Sequence, residues 1–324
     1  MAERPPRIAV AIPCYRVRDH VLDVIARVPA QVERIYVVDD QCPEQSGQLV
    51  QERCTDPRVT VLRHDQNQGV GGAVTTAYRA ALDAGMDIVI KIDGDGQMDP
   101  ALIPHLTRPI LRGKADYTKG NRFYRPESLA GMPGIRLFGN AALSFINKLS
   151  TGYWPLMDPT NGYTAIHTSV LRRMPLHKLD RRYFFESDML YQLGTMRAVV
   201  HDVPMDAVYA GEPSSLRVSR VLPEFLVKHL VRFFKRYVYL YLLRDFNLGS
   251  LDSIAGVLLL AGGTVFGLAN WVHGAMVGQP ASSGTVMLAA LPVLVGIQFL
   301  IAFLHYDVSH LPTEPLSLDL EDER

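Results

Sequence analysis

Cysteine is scarce. Cys14, Cys42 and Cys54 are odd in number and lack the spacing of zinc ligands, which argues against a disulfide scaffold or a cysteine zinc site and predicts reduced thiols in a cytosolic compartment. An excess of either charge is also missing, with 33 Lys plus Arg against 33 Asp plus Glu. No global field therefore marks the chain for nucleic acid or another polyanion. The first residues lack the unbroken apolar core of a secretory signal, because Pro13 interrupts the only short run, and the N-terminal region is expected to stay in the cytosol. Nor is the composition that of a disordered chain. With 48% hydrophobic and 20% charged residues over 324 positions, it allows one large domain or two smaller ones.

Two long stretches carry no charge at all. Ile254 to Gly278 and Thr285 to His305 contain no Asp, Glu, Lys or Arg, and each is long enough to cross a hydrocarbon core of about 30 Å as a helix. A transmembrane hairpin is expected within 251–306, with helices over about 254–278 and 285–305. The loop between them is uncharged, whereas Lys228, Arg232, Lys235, Arg236 and Arg244 precede the first run. Positive residues stay inside, so the large N-terminal domain and an acidic tail over 307–324 are expected in the cytoplasm. In the intervening segment, 219–250, Lys228, Arg232, Lys235 and Arg236 fall on one helical face. This predicts an amphipathic helix in the membrane interface, its cations near anionic headgroups.

Before these segments, short β-rich runs alternate with helical patterns: RIAVAIP then VRDHVLDVIARV, ERIYVVDD then QSGQLVQERC, RVTVLRH then GVGGAVTTAYRAALDAG, and DIVIKIDGD. The alternation predicts an α/β domain over 1–218, with a mostly parallel sheet covered on both faces. Ligands of such sheets bind beyond the carboxyl ends of the strands. Polar residues collect there: Pro13 to Arg16, Asp39-Asp40, His64-Asp65 and Asp93-Gly94-Asp95. Paired carboxylates at neighbouring strand ends repel one another unless cations or hydrogen-bond donors lie near. A ligand with ribose hydroxyls, base N–H groups and a divalent metal would satisfy them. The segment Gly69-Val70-Gly71-Gly72 opens a helix, and its backbone could approach a nucleotide closely. The stretch DGDGQMDP, from Asp93 to Pro100, reads either as an ordinary turn or as a metal site.

In this order, VAIPCYR, VVDD, NQGVGGA and DGDGQ resemble the nucleotide-sugar-binding half of a family 2 glycosyltransferase with the GT-A (Rossmann-like) fold. GNRF (120–123), DPTNGYTAI (158–166), ESD (186–188) and GEPSSLR (211–217), followed by the basic helix and two apolar runs, resemble the polyprenyl-phosphate glycosyltransferases of the dolichyl-phosphate mannose synthase type. One departure is Asp39-Asp40-Gln41-Cys42 where the family commonly carries DDGS.

The resemblance implies a Mg2+ or Mn2+ ion held by Asp93, Asp95 and Gln97, whose hard oxygens suit either cation. It implies nucleotide-sugar contacts from Pro13, Tyr15, Asp39, Asp65, Gly72, Asp93, Asp95 and Arg217, with Asp40 left open. Arg122, Arg136 and Ser215 are expected at the acceptor phosphate, and Asp158 and Glu186 at the sugar or acceptor. Asp95, Arg122 and Asp188 are the expected catalytic residues. Asp188 is a general base if the acceptor is a hydroxyl, and an orienting group or a helix cap if it is a phosphate. The implied activity is inverting, metal-dependent transfer from a UDP- or GDP-sugar to a polyprenyl phosphate at the cytoplasmic face of the cell membrane. Its partners are the donor, the lipid, the membrane and a second copy through the transmembrane region, with no nucleic acid. Two other readings stand beside it: a nonprocessive transferase acting on a sugar hydroxyl, and an inactive nucleotide-sugar-binding scaffold. A processive synthase is disfavoured because neither Trp154 nor Trp271 sits in a QxxRW pattern.

Overall fold

The computed structural model describes residues 4–124, 134–206 and 218–321, without the side chains of 135–138, 218–222 and 321. The chain divides into two compact units, Met1–Arg232 with Pro312–Arg324, and Phe233–Leu311.

The first unit is built on one mixed sheet. In chain order its elements are β1 (Ile8–Cys14), α1 (Val21–Ala26), β2 (Val32–Asp39), α2 (Ser46–Arg53), β3 (Val59–Arg63), α3 (Val70–Asp83), β4 (Ile88–Lys91), α4 (Ile103–Leu111) and β5 (Tyr117–Asn121). There follow α5 (Gly134–Thr151), β6 (Thr164–His167), α6 (Thr168–Arg173), α7 (Phe185–Met196), β7 (Val200–Pro204) and α8 (Val218–Tyr237), which runs on into the second unit. The seven strands lie in the order β3-β2-β1-β4-β6-β5-β7. All pairings are parallel except those of β6, which runs against both β4 and β5. The apolar runs IAVAI, IYVV and IVI form strands buried on both faces, as central parallel strands should be. Ile8, Val10, Ile12, Ile35, Val37, Ile88 and Ile90 form the middle of the core.

The last element, α11 (Leu316–Glu321), returns to this unit. Asp116, just before β5, is fully buried, and its carboxylate accepts hydrogen bonds from the amides of Val199 (2.8 Å), Leu316 (3.0 Å) and Ser317 (2.8 Å). The expected acidic tail, 307–324, is shared between two elements. Residues up to Ser309 belong to the preceding helix, and 315–317 dock on a buried carboxylate that supplies what the first amides of a short helix need.

The second unit is a helical hairpin. Helix α9 (Leu248–Val277) starts at a reciprocal cap between Asn247 and Ser250, and α10 spans Ser283–Ser309. Helix α9 starts before the expected 254 and ends one residue short of 278, α10 extends past 285–305 at both ends, and both are long and apolar enough to cross a membrane, with mean hydropathy 1.8 and 2.5. The helices meet through glycine. A side chain on Gly256 would press Leu300 and the Gly296 carbonyl, and one on Gly263 would lie 2.9 Å from the Ala289 carbonyl. Arg236 makes a two-pronged pair with Asp307 at 2.8 and 2.9 Å, and Tyr241 donates its hydroxyl to the same carboxylate.

Candidate active site

Strand ends position the site, and their carboxylates are answered largely from within the protein. Asp39 accepts the amides of Cys42 (2.7 Å) and Gly47 (2.9 Å). Asp40 accepts those of Gln68 (2.8 Å) and Gly69 (2.7 Å) and meets His64 Nδ1 at 2.7 Å. Backbone donors are thus one of the two means, donors or cations, that keep these paired carboxylates from repelling. The glycine-rich segment also turns inward. The amides of Gly71 and Gly72 reach the Arg181 carbonyl at 2.9 and 3.3 Å. A Cβ on Gly71 would lie 2.2 Å from the Asp180 carbonyl, and one on Gly72 would lie 2.5 Å from Gln68. Close packing of α3 on the 180–182 loop requires glycine at Gly71, and contact with Gln68 requires it at Gly72. Tyr15 and Asp65 are exposed beyond β1 and β3, and Pro13 is half-buried in β1.

The DGDGQMDP stretch follows β4, and it is a turn. Asp95 accepts the Gln97 amide at 3.0 Å, and Gly96 takes φ +78°, a conformation open to glycine. The amide of Asp93 reaches Met98 Sδ at 3.3 Å, and Tyr163 donates to the Asp99 carbonyl at 2.9 Å, so the turn is tied down at both ends. Asp93, Asp95 and Gln97 remain partly accessible. Among the described residues, no three His, Cys, Asp or Glu side chains converge on one point. The donor set here is two carboxylates and an amide oxygen, which fits a hard cation that takes its remaining ligands from a bound diphosphate or water.

Two lysines that sequence reasoning missed organise the neighbourhood. Lys91, at the end of β4 and 1% exposed, pairs with Asp93 at 2.9 Å and Glu186 at 3.0 Å. Burial works against its charge, but Asp93 and then Glu186 outweigh burial and raise its pKa. Glu186 is pushed up by burial, with Lys91 opposing and Asp93 reinforcing the shift. Lys119, on β5, holds the carbonyls of Met157 and Asp158 and pairs with Asp202. It fixes the loop in which Asp158 takes φ +49°. Asp158 is buried and grips Arg122 at both ends, Nε at 2.7 Å and an outer nitrogen at 2.8 Å. Burial would raise the Asp158 pKa, but hydrogen bonds and charge from Arg122, with Lys119, carry it below the ordinary value. Arg122 is thereby aimed, its side chain still 33% exposed. A lysine inside the run MDIVIKI was the one available signal for Lys91.

The other expected residues divide. Asp188 is fully buried; it accepts the Asp180 amide at 2.8 Å and Arg232 Nε at 2.9 Å. It ties α7 to α8. Arg136 lies in α5 with its side chain outside the described residues, and Ser215 and Arg217 lie outside them altogether. The cationic stripe of α8 is corrected as well. Lys228 pairs with Asp180 and Glu224, Arg232 with Asp188 and Arg236 with Asp307, while Lys235 is exposed. What points outward is the apolar side: Leu226, Val227, Leu230 and Phe234 are each more than half exposed.

The fold is that of a glycosyltransferase of the GT-A type. Residues 9–175, just over half of the chain, match the family model "Glycosyl transferase family 2", and the chain belongs to that family. It is a glycosyltransferase. It is 27% identical over 234 residues to the UDP-N-acetylglucosamine--dolichyl-phosphate N-acetylglucosaminyltransferase of Methanococcus voltae, covering 68% of this chain and 92% of that one. It is 28% identical over 206 residues to the undecaprenyl-phosphate mannosyltransferase of Micrococcus luteus, covering 62% and 84%. Among solved structures, mannosyl-3-phosphoglycerate synthase from Rubrobacter xylanophilus shares the fold with a TM-score of 0.55 at 20% identity, over 74% of this chain and 77% of that one. Glucosyl-3-phosphoglycerate synthase from Mycobacterium tuberculosis, bound to Mn2+, UDP and glucosyl-3-phosphoglycerate, does so with a TM-score of 0.52 at 18% identity, over 71% and 80%.

Proposed function

We propose that this glycosyltransferase moves a sugar, with inversion, from a UDP- or GDP-sugar to a polyprenyl phosphate at the cytoplasmic face of a membrane. The observation that carries the membrane-borne acceptor is α8: its cations are mostly paired within the protein and its apolar side faces out. Such a helix lies with its apolar face in the headgroup and acyl boundary, and in sequence it leads into two helices able to span. The return of 312–321 to the first unit supports both flanks of the hairpin lying on one side. The lipid phosphates in the names of the Methanococcus and Micrococcus relatives support the same acceptor class.

The chemistry follows from charge. A phosphate oxygen of the acceptor is already anionic at neutral pH, so it attacks the anomeric carbon without losing a proton. A new carbon–oxygen bond forms as the bond to the diphosphate breaks, and the electron pair leaves with the nucleoside diphosphate. The pairing of Glu186 with Lys91 and of Asp188 with Arg232 supports this acceptor over a sugar hydroxyl, which would require a carboxylate base at the ESD. Asp93, Asp95 and Gln97 would hold Mg2+ or Mn2+, which when bound offsets charge on the departing diphosphate. Arg122, braced by Asp158, forks onto the acceptor phosphate, with Arg136 and Ser215 as further contacts. Tyr15, Asp65 and Arg217 are assigned to the donor. Positioning and electrostatics supply the catalysis.

The test is incubation of membranes bearing the protein with labelled nucleotide sugars and polyprenyl phosphate, with and without Mn2+. Label is expected in an organic-extractable product that mild acid releases. Label that never enters that fraction overturns the reading.

A further inference from the structure

We infer that Lys91 is a positioning residue that locks the metal-facing Asp93 to Glu186 on α7, and that Gly162 exists to make room for its ammonium. The inference rests on the proposed metal-dependent reading and adds to it the group that orders the Asp93 ligand.

Three separate parts of the fold meet at one nitrogen. Lys91 is the last residue of β4 and Asp93 stands two positions beyond it, with their head groups 2.9 Å apart. Glu186 comes from the first turn of α7 and lies 3.0 Å from the same nitrogen. A Cβ on Gly162 would fall 2.2 Å from Lys91 Nζ, 3.0 Å from Asp93 Oδ2 and 3.4 Å from Glu186 Oε1. The ammonium therefore occupies the space of a missing side chain. By engaging Asp93 Oδ1, Lys91 leaves Oδ2 for a cation and keeps Asp93 from rotating. Without it, two carboxylates would face each other around an empty centre. Groups that orient a metal ligand typically account for about 10- to 100-fold in metal affinity.

The experiment measures Mn2+ binding to the purified full chain by electron paramagnetic resonance, with UDP or GDP present, alongside thermal melting. Lys91→Met and Gly162→Ala are each expected to weaken Mn2+ binding about 10- to 100-fold. Either change combined with Asp93→Asn should add little to the loss from Asp93→Asn alone. If Lys91→Met fails to fold, Gly162→Ala carries the test, since it displaces the ammonium but keeps its charge. Folded variants with wild-type Mn2+ affinity overturn the inference and leave the proposed function standing. A wild-type chain that binds no Mn2+ with either nucleotide overturns both.

Discussion

At the scale of the residue, the site is a set of cations, Lys91 and Lys119 buried and Arg122 partly exposed, each paired with a carboxylate. Asp95 is the first choice among the proposed metal ligands, so Asp95→Asn is expected to lower Mn2+-dependent transfer by about 100-fold or more. Asp188→Asn should behave in the opposite way. It leaves Arg232 without its counter-charge and costs about 1–3 kcal/mol of stability, while transfer to a polyprenyl phosphate persists. Transfer abolished at full stability would instead make Asp188 the base for a hydroxyl acceptor. The acidic members of the site were legible in the sequence because Asp-x-Asp and Glu-Ser-Asp stand out in a row of letters. Their partners were not. Lys91 reads as a flaw in an apolar strand, and Arg232 meets Asp188 across 44 positions of chain, a distance that no local pattern reports.

At the scale of the element, strands β1 to β4 and the helices between them were readable: β1, β2 and β4 are apolar runs buried on both faces, and the edge strand β3 is a short β-rich run between helical patterns. Strands β5 (YTKGN) and β6 (TAIH) were not, because they bury Lys119, Thr118 and Thr164 in a polar interior that mimics a loop. Helix α8 shows a different limit. The spacing of its cations established that they share a face, but not which way the face turns. Its docking also carries a titratable group. His229 is buried against Phe184, meets the Ser150 hydroxyl at 2.8 Å, and is pushed down by burial, with Arg232 reinforcing, to about 4 from an ordinary 6.5. Its folded pKa lies below its unfolded one, so the unfolded chain takes up the proton first as pH falls. Stability present above about 6.5 should then be lost progressively down to about 4. Melting temperatures across this window should show the slope, and His229→Gln should flatten it.

At the scale of the whole molecule, the first unit is discontinuous in sequence, with the hairpin inserted between α8 and residues 312–321. If the hairpin spans, a cysteine at Ala281, in the exposed turn between α9 and α10, should react with an impermeant thiol reagent added outside intact cells. Labelling only after lysis would reverse the proposed topology. Asp116→Ala removes the acceptor of two buried amides and one partly buried amide and is expected to cost about 3 kcal/mol. Limited proteolysis should then cut near 312–316 at protease levels that spare the wild type.

That insertion gives synthesis an order. Ribosomes make both apolar helices before they make the residues that Asp116 waits for, so the catalytic unit first forms with two of its three carboxylate partners missing. Its final closure therefore follows synthesis of the hairpin. A nascent chain stalled at residue 311 should accordingly be more protease-sensitive around β5 than one extended past Glu321.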